Sequence, residues 1–171
     1  MKHRSQRLVA GSALLILAVT SLATAADLGK SVADAEGRRK AAENGARAIR
    51  AKGAQVEGAR KLYVASASAH NAWLDATKTT VEGGSPDTAV SDAAGRAASA
   101  LVRWVAGRNA ALGEPVLSGK TADSIEAGIR QSLIDISLET ARRQRTANAD
   151  KKGQAIDELG NRLRWKDWNE L

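Results

Sequence analysis

Apolar residues between Leu28 and Val81 recur alternately four and three positions apart: Leu28, Val32, Ala35, Ala42, Ala46, Ile49, Val56, Tyr63, Ala67, Leu74 and Val81. The same rhythm lands on Arg39, Gly53, Arg60, His70 and Thr77, so eleven of sixteen seam positions are apolar or aromatic. A four-three step averages 3.5 residues and keeps one line of a helix against a neighbour, the pattern of coiled-coil packing. Unbroken, such a helix would run roughly 80 Å at 1.5 Å per residue. Its first half carries Gly29, Gly37, Gly45, Gly53 and Gly58, each costing about 1 kcal/mol relative to alanine. A fragile stretch is therefore expected up to Gly58, with a bend at Gly53 or Gly58. From Ala59 onward Leu62, Tyr63, Val64, Trp73 and Leu74 add bulk.

Gly83-Gly84-Ser85-Pro86-Asp87 ends that pattern. Glycine closes one helix, Ser85 caps the next, Pro86 suits its first position and Asp87 meets the positive dipole end. A second helix is predicted to about Leu112, with Val90, Ala94, Ala97, Leu101 and Trp104 on its seam and Gly113-Glu114-Pro115 as its stop. A third, capped at Thr121, carries two adjacent stripes: Ile125, Ile129, Leu133 and Ile136, then Ile134, Leu138 and Ala141. Two stripes side by side mean burial over a wide arc. The pattern fades after Thr140 and resumes out of phase at Ile156, Leu159 and Leu163, which marks a stutter or a break near Asn148–Gly153.

The second helix would be roughly 40 Å long. Antiparallel packing sets it against residues from about Val56 to Val81 and from Ala122 to Ala147. The fold expected is all-α: an elongated antiparallel three-helix, coiled-coil-like bundle over 56–148. A basic, glycine-interrupted arm (26–55) and a C-terminal amphipathic helix or tail (149–171) overhang it. Each overhang must fold back, pair with another protomer or stay mobile, and homo-oligomerisation is left open.

The first 25 residues read as an export signal. Lys2, His3, Arg4 and Arg7 precede an apolar run from Leu8 to Ala18, and Ala23-Thr24-Ala25 offers a cleavage site. The expected product starts at Ala26 and is periplasmic or secreted, with no transmembrane segment once the signal is gone. Cysteine is absent, so neither disulfides nor a lipid anchor on cysteine is available. Stability must come from packing, and 35 alanines with no phenylalanine favour closely spaced helices.

Charge changes the picture in one place. Losing Lys2, Arg4 and Arg7 takes the formal charge from +7 to +4. Between Arg38 and Lys61, eight basic residues face only Glu43 and Glu57, a local +6. Those eight, Arg38, Arg39, Lys40, Arg47, Arg50, Lys52, Arg60 and Lys61, are the candidate surface for an anionic partner. They spread around the helix rather than along one stripe, and a solvated solubilising face is the plainer alternative. No aromatic lies among them before Arg60, which argues against nucleic acid, since nothing is there to stack on bases. Trp165 and Trp168, flanked by Arg164 and Lys166, form a candidate interface for a membrane or partner groove; packing back onto the bundle is the alternative.

Candidate catalytic chemistry is sparse. His70 is the only histidine after the signal, and no H-x-x-x-H or E-x-x-H spacing accompanies it, so no metal site is expected. Asp135 and Glu139 share a helix face and could do acid–base work, but Arg142 and Arg143 suggest an ordinary salt-bridge cluster. No nucleophile elbow, phosphate loop or haem motif is present, and no cofactor is expected. The reading is an exported, non-enzymatic helical binding or scaffold protein that contacts an envelope protein or an anionic envelope surface. A holdase-like chaperone or an envelope-assembly component is the alternative within binding. A hydrolase using Asp135, Glu139 and His70 is the alternative from another class.

Overall fold

The computed structural model describes residues 28–52, 56–83, 87–148, 151 and 153–171. The expected export signal (1–25), the expected bend at Gly53 and the turn at Gly84–Pro86 lie outside these residues. Five α-helices are described: α1 (Leu28–Lys52), α2 (Val56–Gly83), α3 (Asp87–Leu112), α4 (Gly119–Thr146) and α5 (Gln154–Leu163), followed by a 3-10 turn at Trp168–Glu170. The long seam is thus two helices, and Gly53 falls in the interval between them. Gly58 lies within α2 and does not break it.

The expected bundle of α2, α3 and α4 is present, and its alternation is legible in the contacts. Gly107 of α3 leaves room for Leu62 of α2 where a Cβ would collide with it. Arg130 of α4 reaches Ser91 of α3 at 3.0 Å, and Trp73 of α2 reaches Ser137 of α4 at 3.0 Å. Hence α3 runs antiparallel to both neighbours, while α2 and α4 run parallel. Ala93, Ala94, Ala97 and Ala98 of α3 are all buried with Leu101, and such small side chains let neighbouring helices approach closely.

Both overhanging segments fold back. Gly45 of α1 lies against Arg108 of α3, and Arg38 reaches Ser132 of α4 at 3.4 Å. Such spacing places α1 parallel to α3 and antiparallel to α2 and α4, so the four long helices alternate down, up, down, up. Leu28, Val32, Ala42, Ala46 and Ile49 are buried in the common core. Helix α5 packs against α1, α2 and α4 through Ile156, Leu159 and Leu163. The chain after it descends between α1 and α2.

Local chemistry explains the ends. Gly113, at φ 71°, closes α3: its N–H donates to Ala110 O and the Glu114 N–H to Asn109 O at 2.8 Å. This pair of bonds is the Schellman arrangement, which needs a left-handed residue and so favours glycine. Helix α4 starts at Gly119 behind Ser118, three residues before the expected Thr121 cap, and the Ser118 side chain makes no capping bond. Gly153, at φ 94°, opens α5 at the break that the phase slip predicts.

The polar seam position Thr77 is satisfied inside. Thr77 Oγ1 donates to Trp73 O at 2.9 Å and shares a 2.7 Å bond with Ser137 Oγ, which in turn accepts the Trp73 indole N–H. The one Ser137 hydroxyl proton is shared between Thr77 Oγ1 and Leu133 O, the latter at 3.0 Å. Three side-chain polar groups and two carbonyls at the buried α2–α4 contact therefore satisfy one another.

Candidate functional site

The cations of α1 point to two different surroundings. Arg39, Arg38 and Arg50 are engaged within the chain. Arg39 pairs with Glu43 at 2.7 Å, both side chains nearly buried, and its Nε donates to Arg162 O at 3.0 Å. Arg50 donates to Trp168 O at 3.0 Å, with its guanidinium 5.9 Å from the centroid of that indole, within cation–π range. Arg38 lies against α4, and burial lowers its pKa from the ordinary guanidinium value while Asp34 opposes the shift. Lys40 is exposed and pairs with Glu36 at 2.6 Å; Glu36 also holds Arg162 at 3.0 Å. The two cations hold the Glu36 carboxyl below its usual value.

Arg47, Lys52, Arg60 and Lys61 are exposed, at the last turns of α1 and the first of α2. Arg47 donates to Asn44 at 2.7 Å. Arg60 and Lys61 both face Glu57, at 3.5 and 3.9 Å, in pairs open to water. Such exposed pairs contribute little. One carboxylate thus stands beside four exposed cations, with Arg50 at their edge.

Trp165 and Trp168 are not exposed. They lie inside the chain, 4 and 8 % accessible, so the tail they belong to packs back onto the bundle. Tyr63 is at the centre of this cluster: its ring lies 5.4 Å from Trp104, 5.7 Å from Trp165 and 5.6 Å from Trp168. The Tyr63 hydroxyl donates to Lys166 O at 2.9 Å, and burial, aided by Glu43, raises its pKa. His70 stacks on Trp165 at 4.6 Å and its Nδ1 donates to Ser66 O at 3.2 Å. Burial lowers the His70 pKa to about 4, with the Ser66 bond opposing and Arg38 adding to the shift.

No protein-family model, curated protein or solved structure matches this chain. Its chemistry therefore rests on its own side chains. Glu139 is held by Arg142 at 2.6 Å and Arg143 at 3.1 Å, which lowers its pKa to about 2, the wrong direction for a general acid at neutral pH. Asp135 accepts from Gln131 at 2.9 Å. His70 faces Ser66 and Trp165 instead, so the structure does not join the three groups of the hydrolase reading. Among the described residues no three His, Cys, Asp or Glu side chains are grouped to hold a metal ion. No described helix is long and apolar enough to cross a membrane.

Sequence reasoning missed Glu43, Tyr63 and Asn71 as the residues that hold the tail. Tyr63 and His70 were visible as seam positions. Glu43 stood out only as an acid amid cations, and Asn71 gave no signal.

Proposed function

We propose that this chain is an exported helical binding protein that contacts an anionic envelope surface through the corner where α1 ends and α2 begins. The observation that supports it is the division of the arm's cations. Arg38 and Arg39 are half-buried and bonded to α4 or the tail, and Arg50, though exposed, is bonded to the tail, whereas Arg47, Lys52, Arg60 and Lys61 are exposed with only Asn44 and the water-open Glu57 as partners. Unneutralised cations in water attract anionic head groups or phosphates over about 8 Å at physiological ionic strength. The bundle acts as a rigid support for that corner, and no catalytic step is invoked.

The test is sedimentation of the protein with phosphatidylglycerol vesicles, and with phosphatidylcholine vesicles as the neutral reference. Arg47→Glu, Lys52→Glu, Arg60→Glu and Lys61→Glu together should abolish binding and leave helical circular dichroism intact. Arg38, Arg39 and Arg50 are excluded from the set because reversing them would disturb the fold. Binding by the native chain should weaken as salt rises. Binding that resists both salt and charge reversal would overturn this reading.

A further inference from the structure

Helix α5 stops at Leu163, and Arg164 takes extended backbone angles at its end. Residues 164–167 then have no regular structure, so their main-chain groups cannot be satisfied by a helix of their own. The Arg164 N–H returns to Gly160 O of α5 and Asp167 pairs with Glu170, whereas Trp165 and Lys166 are satisfied by side chains of α1 and α2. Asn71 brackets Trp165, accepting its N–H at 3.0 Å and donating to its carbonyl at 3.3 Å. Glu43 accepts the Lys166 N–H at 3.4 Å and Tyr63 donates to the Lys166 carbonyl. Arg39 and Arg50 hold the carbonyls of Arg162 and Trp168. Both main-chain groups of two consecutive residues are thus bonded to groove side chains.

Such a pattern is how grooves bind extended peptides: bonds to the main chain give affinity, and pockets for particular side chains give specificity. The side chains of the tail sort accordingly. Trp165 and Trp168 are buried, Arg164 pairs with Asp75 at 2.7 Å, and Lys166 and Asp167 between the two indoles are exposed. We propose that the space between α1 and α2 is a recognition groove for an extended peptide of the form Arg-Trp-x-x-Trp on a partner protein, which residues 164–168 fill as an internal ligand. The seated tail itself fixes the chemistry of that partner segment. Recognition takes two indoles three residues apart, a cation before the first, and free choice at the two positions between. The groove lies on the tail side of α1 and α2, and the proposal does not depend on the anionic-surface reading.

The test uses the full chain carrying Trp165→Ala and Trp168→Ala, which weakens the internal ligand, and a fluorescent peptide of residues 163–171. Anisotropy should show saturable binding to this variant and at least about tenfold weaker binding to the native chain, whose own tail competes. A peptide with both tryptophans replaced by alanine should not bind, whereas one with alanine at the Lys166 and Asp167 positions should bind within about threefold of the natural peptide. Adding Asn71→Ala to the variant should weaken binding at least about tenfold. If the double variant loses helicity, the milder Trp168→Phe chain is titrated under the same criteria. A folded variant that ignores the natural peptide, or binds the alanine peptide equally, would overturn the proposal. So would loss of helicity in both variants, because the tail would then be an integral part of the core.

Discussion

His70 makes the stability of this fold depend on pH in a defined window. Its ring is buried, stacked on Trp165, and its pKa is lowered from 6.5 to about 4 by loss of water, with the Arg38 charge adding to the cost of protonation. In the unfolded chain the imidazole takes a proton as pH falls through 6.5; in the folded chain it does so only near 4. Stability is therefore full above about 6.5, falls as pH drops, and levels off below about 4. At about 1.4 kcal/mol per pKa unit the whole loss is about 3 kcal/mol, of which about 2 kcal/mol falls between pH 7.5 and 5. Glu36 and Glu139 act lower: their folded pKa values are depressed, so their contribution is lost only as pH falls below about 4.5. The window above pH 5 thus isolates the histidine. Urea denaturation of the native chain and His70→Gln at several pH values between 7.5 and 5 measures it. The glutamine side chain can still donate to Ser66 O but does not titrate, so the variant's stability should change much less across the window, even if it is lower throughout. Parallel pH dependences in the two proteins would refute the argument, because the titrating group would then lie elsewhere.

Three further outcomes follow from the packing. Leu133→Ala, at the centre of α4, should cost about 2–5 kcal/mol; Ile49→Ala should cost a comparable amount, because Ile49 is 4 % accessible within the same core, and denaturation midpoints at constant slope check both. Ser137→Ala should cost about 1–3 kcal/mol, since it removes the acceptor of the buried Trp73 indole N–H; near-UV circular dichroism and denaturation report it. Glu43→Gln should destabilise by about 3 kcal/mol by leaving Arg39 without its buried counter-charge, and hydrogen exchange should show the Lys166 amide losing protection more than the amides of α3.

The three-helix bundle was legible because α2, α3 and α4 obey simple rules: a 3.5-residue seam, a Schellman glycine at Gly113 and two apolar stripes on α4. The C-terminal end of α3 at Leu112 was placed correctly for that reason. The folding back of α1 was not decidable from the pattern. Leu28, Val32, Ala42, Ala46 and Ile49 make a seam that serves a second protomer as well as the chain's own bundle, and periodicity does not name the partner. The candidate arm was a segment of net charge, and charge counted along a chain ignores direction. Arg39 and Arg50 sit among exposed cations in sequence but turn towards the tail, a choice fixed by Arg162 O and Trp168 O from more than a hundred residues away. The tail's own hydrogen bonds were hidden for a related reason: side-chain to main-chain bonds between distant segments leave no periodic trace.

The alanine-rich composition and the buried tryptophans belong to one physical solution. Small side chains on α3 let its neighbours come close, and there Ala93, Ala94, Ala97 and Ala98 bury little area each. On the other side of α2 such small residues could not fill the space towards α1, and the aromatic cluster fills it. Tyr63 and Trp104 come from the bundle, and Trp165 and Trp168 from the tail. Large aromatic rings carry most of their weight through buried area and edge-to-face contact, so two residues from a distant segment can fill a groove that alanine would leave open. Lodging an irregular segment there requires donors and acceptors for its main chain, which is why Glu43, Asn71 and Arg39 occupy positions that a simple bundle would give to apolar residues. The same requirement sorts the cations: Arg39 and Arg50, within reach of the tail, bond to its main chain, and Arg47, Lys52, Arg60 and Lys61, at the far corner, are left in water.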